Sequence, residues 1–201
     1  MTYPAFFDQA PSIIVHDSLA EFLGAASDGL ITYHYIDAVR LAGHSCPTVA
    51  GAYLMARRAL SLLYPDQVAE RGAVQVTFSA AIDDGVTGVI GSVLGLVTGA
   101  AGAGGFKGIA GKFRRQNLMQ FATGVTPEVR FERTDNGAFV LLRTQLDRVP
   151  AAPRMGALLQ DILSDRASPE QAKEFAALWQ DRVRRIVVDE ADNPELIVAL
   201  S

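Results

Sequence analysis

The sequence predicts an α+β protein in which a mixed sheet packs against helices. Apolar residues recur at helical spacing in segments of the first hundred residues and again after residue 150. Between them, segments that alternate apolar and polar residues predict strands, and the later strands follow one another directly. We therefore expect an α-β-α-β-β-β core plus two C-terminal helices, rather than a doubly wound parallel sheet.

The predicted helices of the first half flank the most distinctive stretch of the chain. A short helix is expected after Ser18, which forms a capping box with Glu21. Residues 31–42 have mostly helical spacing, which would place His34 on a helix that ends at Gly43. Pro47 suits the first turn of a further helix, whose apolar period continues to residue 63.

The predicted strands lie in the middle of the chain. The segment AVQVTFSAA alternates apolar and polar residues, and a helix over residues 85–97 should follow it. RQNLMQF, EVRFER and AFVLLRTQL are predicted as three consecutive strands. Asn136-Gly137 between the last two is a strong signal for a tight turn.

An uncharged run from Gly85 to Phe106 contains glycines at four-residue spacing, a pattern also found in membrane helices. Its glycine-rich end is too flexible for a lipid-facing helix, and no flanking aromatic belt accompanies it. We therefore predict a buried helix whose glycine face lets another part of the backbone approach closely, followed by a glycine-rich loop, and no membrane span.

The last quarter of the sequence predicts an amphipathic helical pair. Met155 to Leu163 forms one apolar stripe, and Ser168 with Gln171 caps a second helix that carries Trp179. We divide the chain into residues 1–150 as an α+β domain with an N-terminal helical extension, and residues 151–201 as a helical pair. This pair would pack on the domain or at a dimer interface.

Composition limits the function. A net charge of −4 gives no general attraction to nucleic acid, which we do not expect as a partner. The single cysteine excludes an intrachain disulfide and an all-cysteine zinc site within one chain. No signal-peptide pattern is visible at the N-terminus, so we expect a cytoplasmic protein.

The stretch GHSCP brings a histidine and the cysteine together at a predicted helix N-terminus. Unpaired amide hydrogens and the helix dipole stabilise a thiolate there, so Cys46 is a candidate ligand or nucleophile. His44 precedes it by two residues, and thiolate with neutral imidazole suits zinc or another divalent transition metal. Asp83, Asp84 or His34 are the candidates for completing the site, together with water or another subunit. The alternative is an inert core cysteine beside a loop histidine.

The glycine-rich loop leads into a locally basic segment, FKGIAGKFRR. Its cations indicate either a solvated turn or contact with a phosphate, carboxylate or acidic partner. Thr98 and Lys107 are the candidates for contacting a small-molecule cofactor in this region. The loop matches neither a P-loop nor a dinucleotide fingerprint, because Lys107 is followed by glycine.

Together, GHSCPTVAGAYLM and the later TG…GFKGIAGKF…NL resemble the FmdE family of formylmethanofuran dehydrogenase proteins. His44, Cys46 and Pro47 match its motif, as do Thr98-Gly99 and Asn117-Leu118. The resemblance, over residues 31–146, implies an α+β fold, a homodimer and a transition metal, often zinc, at the matching cysteine and histidine. It does not imply the oxidation chemistry in the family name, which is associated with other proteins of that complex.

This chain also departs from the family pattern. Ala42 stands where many members have another histidine, Thr48 replaces a usual glycine, and Asp83 and Asp84 stand near a position where members often have a cysteine. Three hypotheses follow from the sequence. They are a metal-binding protein, a metal-free enzyme with Cys46 as its nucleophile in acyl or one-carbon transfer, and a non-catalytic module that binds a small molecule beneath TGAAGAGGFKG.

Overall fold

The computed structural model describes residues 3–124 and 129–200. The α-helices are α1 (Ser18–Phe22), α2 (Tyr35–Ala42), α3 (Pro47–Leu63), α4 (Thr87–Thr98), α5 (Met155–Leu163) and α6 (Pro169–Arg184). The strands are β1 (Ile13–His16), β2 (Leu30–Tyr33), β3 (Ala69–Glu70), β4 (Val74–Phe78), β5 (Met119–Gln120), β6 (Val129–Arg133), β7 (Phe139–Thr144) and β8 (Ile197–Leu200). Two 3-10 turns (Ala5–Gln9, Leu146–Arg148) and a π-helical turn (Arg185–Asp189) complete these elements.

The larger sheet has the strand order β5-β4-β6-β7-β8. β4 pairs parallel with β5 and antiparallel with β6, and the remaining pairs are antiparallel. The predicted turn joins β6 to β7, and Gly137 has the positive φ of 73° that such a turn favours. Glu128, the first residue of the predicted EVRFER strand, lies outside the described residues. The mixed sheet and its helices confirm the predicted α+β class.

A second, three-stranded sheet with the order β2-β1-β3 lies near the N-terminus and was not predicted. Residues 30–33 form β2, which pairs antiparallel with β1, so the predicted helical assignment of this segment is wrong. α2 begins only at Tyr35, and His34 is its N-cap. The His34 amide donates to the Asp37 carboxylate at 2.9 Å, which closes a capping box.

α3 is the central helix and carries the predicted site at its N-terminus. Pro47 occupies the first turn, as predicted, and the helix contacts α4 and strands of the larger sheet. Much of its surface consists of small or aliphatic residues with little exposed area, including Ala50, Ala56 and Ala59. The N-terminus of α3 is therefore held rigidly by its packed body.

The glycine face of α4 permits the close approach of a side chain and, as predicted, of another part of the backbone. A Cβ atom on Gly91 would lie 3.0 Å from Cζ of Phe121, and one on Gly95 would lie 2.9 Å from the Ala100 carbonyl oxygen. Gly99 ends the helix at φ 73°. Among residues 3–124 and 129–200, no helix is both long enough and apolar enough to cross a membrane.

The C-terminal segment contains the two predicted helices, α5 and α6, and one strand that was not predicted. Arg182 on α6 donates to the carbonyl oxygens of Val149 at 2.8 Å and Leu146 at 3.1 Å. β8 then pairs with β7 and forms an edge of the larger sheet. The segment therefore contacts the rest of the fold through α6 and β8, and the division of the chain at residue 150 stays a prediction.

Candidate functional site

The candidate site is the short connection between α2 and α3. Gly43 ends α2 with φ 77°, a left-handed conformation that glycine adopts without strain. Three residues later, Cys46 is the N-cap of α3, as the sequence predicts. The turn between these caps contains His44 and Ser45. The two predicted metal donors, His44 and Cys46, therefore lie between the end of α2 and the start of α3.

Cys46 is buried, and its sulfur interacts with the N-terminus of α3. The Val49 amide donates to Sγ at 3.4 Å, and Cys46 is 8% exposed. This hydrogen bond satisfies one of the amide groups that the helix start leaves unpaired.

His44 is exposed, and one hydrogen bond determines which of its ring nitrogens carries the proton. Nδ1 lies 3.0 Å from the Ala42 carbonyl oxygen. A carbonyl oxygen only accepts hydrogen bonds, so Nδ1 carries the proton and donates it. In neutral His44 the lone pair is therefore on Nε2, where it is free to bind a metal ion or to accept a proton.

Ser45 anchors the connection to two helices. Its carbonyl oxygen accepts hydrogen bonds from Trp179 Nε1 at 3.0 Å and Gln180 Nε2 at 3.2 Å, both on α6. Its hydroxyl is 3.0 Å from the hydroxyl of Tyr35. Burial raises the pKa of Tyr35 well above its ordinary value, so this hydroxyl stays protonated. The backbone that carries His44 and Cys46 is consequently fixed by α2 and α6.

A groove between α2 and α4 opens beside His44. His44, Leu41 and Ser92 contribute to the lining of a pocket of about 290 Å³. An adjoining groove of about 510 Å³ shares Leu41 and Ser92 and continues along the α4 glycines to the loop at residues 100–102. The sequence predicts a small-molecule pocket beneath the glycine-rich loop, and this groove extends to that loop. Binding of a ligand there stays a prediction.

The other predicted metal ligands lie apart from one another. His34 is exposed at the N-terminus of α2, whereas His44 follows its C-terminus, about 12 Å away along an eight-residue helix. Asp83 and Asp84 are exposed in the turn before α4. In the part of the chain that the structure describes, no three His, Cys, Asp or Glu residues form a group suited to a metal ion. His44 and Cys46 are the two donors that the fold keeps in one turn.

The two predicted cofactor contacts have different surroundings. Thr98 is 1% exposed, and its hydroxyl donates to the Leu94 carbonyl oxygen at 2.7 Å while accepting from the Ala100 amide at 3.2 Å. This hydroxyl therefore stabilises the end of α4. Lys107 is exposed on the loop and remains accessible to a ligand.

Arg115, from the predicted basic segment, belongs to a buried ionic cluster that sequence reasoning missed. Asp17 is 3% exposed and accepts from Arg115 Nη2 at 2.7 Å and from Arg71 Nη1 at 2.8 Å. The same carboxylate caps α1 through the amides of Leu19 and Ala20, so the predicted capping box of Ser18 with Glu21 is wrong. The cluster joins the start of α1, the turn between β3 and β4 and the basic segment after the glycine-rich loop, so its role is structural. Its members lie up to 98 residues apart in sequence, and no local pattern links them.

Gly72 leaves the space that this cluster requires, and we predict that Gly72→Ala destabilises the fold by about 2–3 kcal/mol. Its φ is +89°, and an added Cβ would lie 1.0 Å from Nη1 of Arg115. Arg115 would have to leave Asp17 to avoid this overlap. Urea denaturation would measure the loss, with Gly104→Ala as a control because a Cβ there meets no atom of the described residues within 4 Å. Equal stability of the two variants would contradict the prediction.

Comparisons with known proteins place these residues in a wider context. The family model described as "FmdE, Molybdenum formylmethanofuran dehydrogenase operon" matches residues 41–193, more than half of the 201-residue chain. The match includes His44 and Cys46 and continues through α5 and α6, beyond the segment whose motifs carry the resemblance. No curated protein and no solved structure matches the chain.

Proposed function

Because the chain belongs to the FmdE family, we propose that it binds a divalent transition metal, with zinc as the first expectation, through His44 and Cys46. The observation that carries this proposal is the 3.0 Å hydrogen bond from His44 Nδ1 to the Ala42 carbonyl oxygen. Metal-ligating histidines usually donate their second ring nitrogen in this way, which fixes the tautomer and the orientation of the ring.

The two donors fit the chemistry of such a metal, although they form only part of a complete ligand set. Zinc binds thiolate and imidazole readily, and a structural zinc site usually has four protein ligands. Two donors from one turn leave positions for water, a small-molecule ligand or further protein groups. Bound there, the metal would supply Lewis acidity to a ligand atom in the groove.

Further protein donors have two candidate sources. Asp83 and Asp84 lie in the turn that leads into Gly88 and Val89, and these two residues line the same pocket as His44. The homodimer that the family resemblance implies would offer donors from the second subunit. His34 is left out of the proposed ligand set because α2 separates it from His44.

The protein residues around the turn position the donors. Trp179, Gln180 and Tyr35 hold Ser45, while the Val49 amide holds the Cys46 sulfur. The residues that line both pockets of the groove are largely small or apolar. Among them, the Ser92 hydroxyl donates to the Gly88 carbonyl oxygen at 2.9 Å. A ligand in the groove would thus meet an apolar wall along α4 and the imidazole of His44 at one end.

We predict that the protein purified without added metal contains about one metal ion per chain. His44→Ala and Cys46→Ala should each lower this content severalfold, since each removes one of the two proposed donors. Plasma mass spectrometry of the purified proteins measures it. The matched control is His34→Asn, which keeps an N-cap residue on α2 and should retain the wild-type metal content. Wild-type protein without metal, or Cys46→Ala with unchanged metal, would contradict the proposal.

The groove supports a second candidate function, a metal-independent binding module for small molecules. The two adjoining pockets of about 290 and 510 Å³ are large enough together for a small organic ligand. This function predicts that fragments screened by NMR shift the amide signals of Leu41, Gly88 and Ser92. The same shifts should persist in the His44→Ala, Cys46→Ala double variant. Fragments that perturb none of these amides in either protein would contradict it.

A further inference from the structure

The C-terminal half of α3 presents a polar face that the proposed metal site does not use. Leu54, Arg57, Arg58 and Ser61 follow at intervals of three, one and three residues and therefore share one side of the helix. Together with the segment at residues 191–193 and Ile197, they line a pocket of about 100 Å³. At 1.5 Å per residue, the pocket begins at Leu54 about 12 Å along α3 from Cys46, and Arg58 lies about 18 Å from it.

The two arginines of this pocket have different partners. Arg57 Nη1 is 2.6 Å from the Asp192 carboxylate and also donates to the Ala191 carbonyl oxygen at 3.4 Å. Within residues 3–124 and 129–200, the Arg58 guanidinium has neither an ion pair nor a hydrogen bond, and its Nε is buried without a partner. A buried donor without an acceptor costs free energy, so an external acceptor would stabilise this site.

The net charge of the pocket indicates which charge a ligand should carry. Arg57 and Asp192 neutralise each other, which leaves the single positive charge of Arg58. One unpaired guanidinium complements a monoanion, and a carboxylate fits its planar pair of donors. A volume of about 100 Å³ holds about three water molecules, which is enough for a carboxylate group and little else.

An apolar groove adjoins this pocket and shares Arg57 and Ser61 with it. The groove has a volume of about 480 Å³, and its lining includes Ile14, Leu60 and Val68. Ile14 is 52% exposed and Val68 is 48% exposed, so their apolar surfaces lie open to solvent. The hydroxyl of Tyr64, which also lines the groove, is buried and has no hydrogen-bond partner among the described residues.

We propose that this composite site binds a small amphipathic carboxylic acid. The carboxylate lies against Arg58 in the small pocket, and the apolar body lies in the adjoining groove over Ile14 and Val68. The site is independent of the metal proposed at His44 and Cys46, so failure of either proposal leaves the other intact.

Calorimetric titration of the full chain with octanoate and with octanol tests the proposal. The two probes share an apolar body and differ in charge. We expect wild-type protein to bind octanoate at least about tenfold more tightly than octanol, because only octanoate pairs with Arg58. Arg58→Gln should abolish this preference, whereas Arg40→Gln, a control at an exposed arginine on α2 outside both pockets, should retain it. Equal affinity of wild-type protein for both probes, or unchanged octanoate affinity in Arg58→Gln, would overturn the proposal.

Thermal unfolding separates a binding role of Arg58 from a structural one. Without octanoate, Arg58→Gln should melt at or above the wild-type Tm, because it removes a charge that has no partner. At about 100 times the wild-type Kd, octanoate should raise the wild-type Tm by about 5 °C and that of Arg58→Gln by no more than about half as much. Arg58→Lys keeps the charge without the planar donors and should give an intermediate shift. A large loss of Tm in Arg58→Gln without octanoate would assign the residue a structural role and overturn the proposal.

Discussion

Replacing Asp17 with asparagine is expected to lower the free energy of unfolding by about 3–5 kcal/mol. The asparagine would still cap α1, because its side-chain oxygen accepts from the same amides. The loss therefore reports the ion pairs with Arg71 and Arg115 rather than the helix cap. The substitution would leave Arg71 and Arg115 without their shared carboxylate, and the Arg115 side chain is only 10% exposed. Uncompensated buried charge is among the most costly defects in a folded protein.

Urea denaturation measures this loss, and Asp135→Asn provides a matched control. Asp135 pairs with Arg133 at 2.5 Å, and 53% of the Asp135 side chain and 13% of the Arg133 side chain are exposed. Because the Asp135 carboxylate is open to water, its ion pair contributes about 0–1 kcal/mol, and the control should change little. If Asp17→Asn were no more destabilising than Asp135→Asn, the ionic cluster would not stabilise the fold.

Asp17 also predicts how stability depends on pH. Burial alone would raise its pKa, but the hydrogen bond from Arg71 and the charge of Arg115 outweigh burial and lower the pKa below the ordinary value. A depressed folded-state pKa stabilises the protein above the unfolded-state pKa of about 3.9, and this contribution is lost as the pH falls through the folded value. Wild-type stability should therefore fall below about pH 4 more steeply than that of Asp17→Asn.

The sequence predicted those parts of the fold that local patterns determine. Pro47 marked the start of α3, Asn136-Gly137 marked the turn between β6 and β7, and the apolar stripes of α5 and α6 had clear helical spacing. These features depend on residues that are neighbours in the chain. The class and most helices were therefore predictable without a structure.

The missed elements depend on pairing between distant segments. β1 and β2 have four residues each, too few for a recognisable alternation of apolar and polar residues. The helical spacing of α2 also extends back over β2, so the two were predicted as one helix. β8 is also four residues long and is stabilised by β7, more than fifty residues earlier. The predicted strand RQNLMQF shortens to Met119–Gln120, because Asn117 adopts a positive φ of 62° that interrupts extended backbone.

The candidate site was predictable only in part, for a similar reason. GHSCP showed directly that His44 and Cys46 lie at a helix start, since cap positions are local. Whether Asp83 or Asp84 comes close to these two donors depends on how α2 packs against α4. The sequence does not give the distance between the two helices. Arg115 was assigned to a basic loop segment, whereas the fold pairs it with Asp17.

Cys46→Ala is expected to weaken zinc binding by about 100-fold or more, the largest functional effect that the proposal predicts. Residues that merely support metal ligands typically change affinity by 10–100-fold, and a ligand should contribute at least as much. Competition titration with a chromogenic zinc chelator measures the affinity. Ser92→Ala is a suitable control, because it alters the groove and leaves both donors in place. Equal zinc affinity of Cys46→Ala and Ser92→Ala would contradict the prediction.

Cobalt(II) titration tests most directly whether His44 and Cys46 bind the same ion. Cobalt accepts the same donors as zinc and gives a near-ultraviolet charge-transfer band when a thiolate coordinates it. The proposal predicts that this band reaches saturation in wild-type protein, disappears in Cys46→Ala and requires a higher cobalt concentration in His44→Ala. A wild-type protein without the band, or a His44→Ala titration identical to the wild type, would contradict a shared metal site at this turn.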